Sequence, residues 1–279
     1  MTISIPYGRS WMTMTSPLYD RYLRAQKRRQ RLIWLARLAL LAGFLLLWEF
    51  AARWKWVDSM LTSKPSQLWT SFRELAMEGS LFHHLWITGQ ETLVGIAVSM
   101  AIGSLAAVLF WWSTFASKVL DPYMVVLNAL PKVALGPIFF IWLGDHYSVY
   151  GMAVAISVIV TIIMIESGFK EISRTKLKLM ESFGATKLQM LGMVLLPASV
   201  PHLIATLKVN VGLTLVGVIM GEFLSSKAGL GYLIIYGGQV FQMNLVMVSI
   251  ALLALLSVAL YGLVNLLERY ARKKYHHEA

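Results

Sequence analysis

In a chain of 279 residues, 57% hydrophobic side chains and only 14% charged ones leave more apolar surface than a soluble core of that size buries, so lipid must cover the remainder. The net charge of +11 would suit a nucleic-acid partner, but the basic residues flank the apolar runs and do not gather on one polar domain. With no cysteine, disulfide frameworks and thiolate metal sites are excluded.

The first 31 residues read as a basic cytoplasmic tail. Polar and aromatic residues fill the first 20, and no small-residue cleavage site precedes the first long apolar run, so a cleavable signal is not expected. A helix that crosses a bilayer core needs about 20 apolar residues. On that measure the pattern predicts an all-α polytopic membrane protein with about six spans, at about 32–52, 88–112, 119–143, 149–168, 192–221 and 245–267. Arg21, Arg24, Lys27, Arg28, Arg29 and Arg31 precede the first span. Lys170, Arg174, Lys176, Lys178 and Lys187 occupy the 169–191 loop, and Arg269, Arg272, Lys273 and Lys274 follow the last span. All three clusters then fall on one side, which the positive-inside rule makes cytoplasmic. Arg53, Lys55, Lys64 and Arg73 dissent, but in a long loop shared with Asp58, Glu74 and Glu78, where the rule is weak. Trp48, Trp54, Trp56, Trp111 and Trp112 fall near span ends, as an aromatic belt would.

Two spans are interrupted by polarity or proline. In LDPYMVVLNALPKVALGPIFFIWLG, Pro122, Pro131 and Pro137 each remove a backbone donor, and Asn128 and Lys132 bring polar groups to mid-span depth. Such a stretch is either a helix kinked for packing or the lining of a solute path, because irregular backbone at that depth must face protein or water. Lys208, Asn210 and Glu222 share a later apolar helix. Lys208 either faces the interior of the bundle or snorkels to an interface, and Glu222, near the outer end, reads as interfacial. The pathway candidates are therefore Asn128, Pro131, Lys132, Lys208, Asn210 and Glu222. His83 and His84 are adjacent, so on a helix they point about 100° apart and do not chelate together. No HExxH, GxSxG or phosphate-binding Gly-Lys-Ser/Thr loop occurs, so neither an enzyme nor a bound metal is expected. If the protein uses ATP, another subunit binds it.

The stretch KLMESFGATKLQMLGMVLLPASVP, residues 178–201, begins charged, has an amphipathic middle, breaks at Gly184 and ends on two prolines. It resembles the cytoplasmic EAA loop of bacterial ABC importer permeases, whose pattern is Glu-Ala-Ala, three residues, Gly, nine residues, Ile-x-Leu-Pro. From Gly184, Val194 takes the Ile position, and Leu196 and Pro197 fall in register. Lys178, Leu179 and Met180 depart from Glu-Ala-Ala. LNALPKVALGPIFFIWLG (127–144), AGLGYLI (228–234) and WEF at the end of the first span, followed by Pro65-Ser66, resemble permeases of the nitrate, sulfonate and taurine importer group.

The resemblance implies a type I ABC importer transmembrane domain at 32–268, with a coupling loop at about 169–197 and a basic cytoplasmic tail at 269–279. It implies a multi-pass protein of the bacterial inner membrane with both termini cytoplasmic, acting as a homodimer with a cytoplasmic ATPase dimer and an extracytoplasmic substrate-binding protein. Met180, Glu181, Ser182, Phe183, Gly184, Ala185 and Pro197 would then form the ATPase contact. Gly184 suits a turn between short helices, and Pro197 and Pro201 suit a helix start. The expected cargo is a small anion of nitrate, sulfonate or taurine type, or alternatively a pyrimidine precursor of thiamine. An ion-coupled secondary transporter is the competing class; it would show an internal repeat and a mid-depth coupling carboxylate, and neither is clear.

Overall fold

The computed structural model describes residues 17–58 and 62–275. The first sixteen residues of the predicted N-terminal tail and the last four of the C-terminal one lie outside them. The chain divides into two compact units, residues 1–59 and 60–279.

The first unit is one helix, α1 (Pro17–Arg53). The predicted span 32–52 occupies its second half. The first half is helical too, because Arg, Lys, Gln, Leu and Ala all favour helix and no breaker separates the basic stretch from the apolar one. At 1.5 Å per residue, α1 is about 55 Å long, well beyond an apolar core of about 30 Å.

The described part of the second unit is helical as well. An amphipathic α2 (Pro65–Met77) is followed by α3 (Ser80–Trp112), α4 (Thr114–Ala129), α5 (Gly136–Glu171), α6 (Arg174–Ser182), α7 (Lys187–Met190), α8 (Leu196–Ser225), α9 (Leu230–Gln239) and α10 (Met243–Tyr275). Across both units, five described helical stretches are long and apolar enough to cross a membrane: Tyr22–Arg53, Ser80–Trp112, Lys132–Glu171, Lys187–Ser225 and Met243–Ala271.

Five rather than six follows from what happens to the predicted span 119–143. Proline disfavours α geometry in the residue before it, and Leu130 is accordingly extended (φ −63°, ψ 135°), which ends α4. A 3₁₀ turn, Lys132–Leu135, precedes α5, and α5 itself breaks at Gly144 (φ 72°, ψ −179°). The two ends of this broken segment lie at different levels of α5. Ser117 Oγ donates to Glu166 Oε1 at 2.9 Å, while the Gly151 backbone packs on Leu143 and Phe139. The chain thus climbs from the level of Glu166 to that of Gly151, about 22 Å at 1.5 Å per residue. The predicted third crossing is made, but by a discontinuous segment.

The core is the α3–α5–α8 trio. Small residues let the backbones approach: a Cβ on Gly217 would stand 2.6 Å from the Cα of Ala153, and one on Gly221 2.6 Å from the Cα of Val149. Polar side chains in this seam pair across it. Ser99 and Ser157 share a hydrogen bond of 2.6 Å, and Asn210 Nδ2 donates to Thr161 Oγ1 at 2.8 Å.

Candidate coupling loop and the cleft at the opposite end

At one end of the trio, α6 and α7 form two short helices joined by a tight turn. The turn is a Schellman motif: Gly184 N–H donates to the Glu181 carbonyl (2.9 Å) and Ala185 N–H to that of Met180 (3.0 Å). This needs a left-handed residue after the helix, and Gly184 supplies it at φ +76°. Thr186 then starts α7 with a capping box, its Oγ1 accepting from Gln189 N–H while its own N–H donates to Gln189 Oε1 at 2.8 Å. Lys187 Nζ ties the loop to the end of α3 by donating to the Trp112 carbonyl at 3.2 Å. Beneath it, Ala107, Ile165, Phe169, Ile172 and Leu195 form a buried apolar base. Above it, Leu179, Phe183 and Leu188 are exposed, Phe183 at 78%.

Past α7, a π turn at Leu191–Leu195 leads into α8. Pro197 lies in the first turn of α8, as expected, because a missing N–H costs little there. Pro201 does not mark a helix start; it sits inside α8. The π turn just before Pro197 is the register change by which the helix continues past a residue that cannot donate.

The opposite end is organised by a carboxylate. Glu222, expected at the interface, is buried at 1% exposure. It accepts from Thr88 Oγ1 at 2.7 Å and from the Gly231 N–H, while Thr88 Oγ1 accepts from Leu230 N–H at 2.8 Å. These donors lie at the N-terminus of α9, where orphan N–H groups and the helix dipole favour an anion. Gly229 (φ +109°) and Gly231 are required there, since a Cβ on either would overlap the carboxylate. The Gly-Leu-Gly of the AGLG stretch is thus the mould for Glu222. The clue in the sequence was two glycines flanking a helix start shortly after an acidic residue, and nothing in it named Thr88, 134 positions away. Glu91 lies against Glu222 at 7% exposure and borders a cleft of about 390 Å³ with Asp145, His146, Tyr150 and Lys227.

Residues 99–274 match the family model described as binding-protein-dependent transport system inner membrane component. The chain belongs to this family of inner-membrane transport permeases. The permease is 26% identical to the putative aliphatic sulfonates transport permease protein SsuC of Bacillus subtilis, over 88% of this chain and 90% of the relative. It is 31% identical to the formylaminopyrimidine transport permease protein ThiX of Halalkalibacterium halodurans, over 67% of this chain and 75% of that one. Its fold is similar to a chain of the MetNI methionine ABC transporter in an inward-facing conformation, with a TM-score of 0.63, 17% identity, and coverage of 70% of this chain and 98% of that one. The permease is thus an all-α ABC importer transmembrane domain.

Within the permease, the seven coupling-loop candidates sit at one end: Met180, Glu181, Ser182, Phe183, Gly184 and Ala185 on the α6 end and its turn, Pro197 at the start of α8. The six pathway candidates do not converge. Asn128, Pro131 and Lys132 cluster at the break after α4, where Lys132 Nζ donates to the Asn128 carbonyl at 3.2 Å. Lys208 is bound to Glu268 of α10 at 2.6 Å, with its ammonium 5.7 Å from the Tyr261 ring centre. Asn210 is fully buried against Thr161. Glu222 is about 21 Å along α8 from Lys208, at 1.5 Å per residue.

Proposed function

We propose that this permease is one half of a homodimeric importer whose two coupling loops dock on a cytoplasmic ATPase dimer, and that an extracytoplasmic binding protein delivers the solute. ATP is bound by the partner subunit, and the permease contributes no catalysis. The loop and both termini are cytoplasmic, and the cleft beside Glu91 opens on the outer side. The three basic clusters support this orientation, and the discontinuous crossing at 114–143 keeps the number of crossings even.

One observation carries the coupling role. The Gly184 turn is fixed by backbone bonds and a capping box, yet it presents Phe183, Leu179 and Leu188 outward from a basic loop. An exposed apolar ridge on a rigid turn is what a protein partner buries. Nucleotide-driven motion of the ATPases would then move α5 and α8 as rigid bodies and shift the population between inward-open and outward-open states.

The cargo is a small solute, with a sulfonate-type anion as the first assignment, supported by the sulfonate permease relative. A pyrimidine-type solute is the second, favoured by the relative at 31% identity.

The test is co-purification of the full chain with its ATPase, followed by ATP-dependent uptake of radiolabelled sulfonate and aminopyrimidine panels into proteoliposomes supplied with the binding protein. ATPase association and ATP-dependent uptake are expected. A chain that moves solute without the ATPase would overturn the reading. Because the chain lacks cysteine, a single cysteine at Thr186 reports orientation cleanly. Labelling by an impermeant reagent is expected only after cells are opened, and labelling in intact cells would reverse the topology.

A further inference from the structure

We infer that the cleft beside Glu91 receives the N–H-bearing, cationic end of the transported solute, with the Glu91 carboxylate as its acceptor. The inference rests on the importer reading and narrows its substrate class.

The two buried carboxyl groups at this end are unequally provided for. Glu222 takes the donors: the Thr88 hydroxyl and the Gly231 N–H. Glu91 lies beside it, and among the described residues no group donates to its buried Oε2. Carboxylates almost never stay buried without a donor or a counter-charge, because the lost hydration is not replaced. The missing partner must therefore come from outside the described side chains, and the cleft is the route to it. Its wall adds a second carboxylate, Asp145, with Lys227 as the cation among the lining residues. With His146 neutral, the cleft is net acidic, so a bare anion gains little there. A solute with an ammonium or amino group gains an acceptor at Glu91 and keeps Lys227 for any anionic end.

A metal ion is the other cation that could fit. It would need several hard ligands around it, and among the described residues no three His, Cys, Asp or Glu side chains converge to hold one. A polyatomic N–H donor needs one or two acceptors and fits the wall better. An aminosulfonate and an aminopyrimidine share this group, which is why one cleft chemistry suits relatives with such different cargoes.

The absence of cysteine allows a test that does not require transport. Gln90 is exposed and lines the same cleft. In membranes that contain the full chain and its ATPase, Gln90→Cys is treated with two methanethiosulfonate reagents of equal length, one ending in ammonium and one in sulfonate. Relative to free thiol, the ammonium reagent is expected to react at least about tenfold faster, the factor that one nearby charge supplies. Glu91→Gln should remove that preference, and Asp145→Asn should keep most of it. Ethylammonium should slow the labelling, and sodium at equal ionic strength should not.

No preference for the ammonium reagent with Glu91 intact would overturn the assignment, and so would a preference that survives Glu91→Gln. Equal protection by sodium would assign a metal-ion site instead and also overturn it. Loss of ATPase association or of uptake would fail the importer reading and leave this labelling pattern unaltered, so the two failures are distinguishable.

Discussion

The two ends of the α3–α5–α8 trio are held together by opposite means. At the coupling-loop end the turn is built from its own backbone: three consecutive residues, Phe183 to Ala185, close the Schellman bonds, and Thr186 with Gln189 caps the next helix. Nothing distant is needed, and the side chains are left pointing outward. At the other end the backbone of 226–231 is held by side chains from elsewhere, Glu222 of α8 and Thr88 and His84 of α3. The first end is a self-sufficient shape offered to a partner; the second is a joint between helices. Mutations should therefore separate stability from coupling according to the end they strike.

The largest effect is expected at the joint. Glu222→Ala leaves the Thr88 hydroxyl and the Gly231 N–H buried without an acceptor, which costs on the order of 3 kcal/mol. The thermal unfolding midpoint in detergent, read by tryptophan fluorescence, should fall by several degrees, and Glu222→Gln should restore part of it by returning one acceptor. An unchanged midpoint for Glu222→Ala would remove the distinction between the two ends.

Next comes the turn. Gly184→Val forces a β-branched side chain to φ +76°, a strain of about 1–2 kcal/mol, although a Cβ there meets no atom within 4 Å. The protein should still insert and dimerise, while ATP-driven uptake is abolished because the ridge no longer meets its groove. Normal uptake would reduce the loop to a linker. Phe183→Ser should have a smaller effect still. At 78% exposure Phe183 supports nothing inside the permease, so the midpoint should hold while the permease–ATPase affinity falls about tenfold, as for the loss of one apolar anchor. A drop in stability with affinity unchanged would invert the roles.

The same contrast explains what the sequence disclosed. The loop was legible because its determinants are local: a glycine, a cap three residues from its partner and a proline at fixed spacing all describe one continuous stretch. The joint was not, because Glu222 takes its meaning from Thr88, and no periodicity links positions 88 and 222. Hydropathy located Glu222 near a span end and made it interfacial, although the glycines at 229 and 231 bury it. The span 119–143 failed for a related reason. Its hydropathy suits a helix, but Pro131 and Gly144 cut the backbone that hydropathy takes to be continuous.

Lys208 offers the smallest effect and the sharpest test of a pathway role. The sequence suggests a cation held in the bundle for an anion to meet, whereas the structure pairs it with Glu268 at 2.6 Å, each side chain about a quarter exposed or less. A pair so placed contributes about 1 kcal/mol. Lys208→Met should therefore lower the midpoint slightly, by leaving Glu268 in apolar surroundings without its cation. Adding Glu268→Gln should recover that loss, since the variant then has neither charge. Uptake separates the two roles that stability cannot. If Lys208 serves only as a strut between α8 and α10, the double variant transports as well as the parent. If it also meets the solute, uptake stays low in the double variant although stability has returned. The geometry favours the strut, because the ammonium is already shared between a carboxylate and the Tyr261 ring, and a solute anion would have to displace Glu268 to reach it.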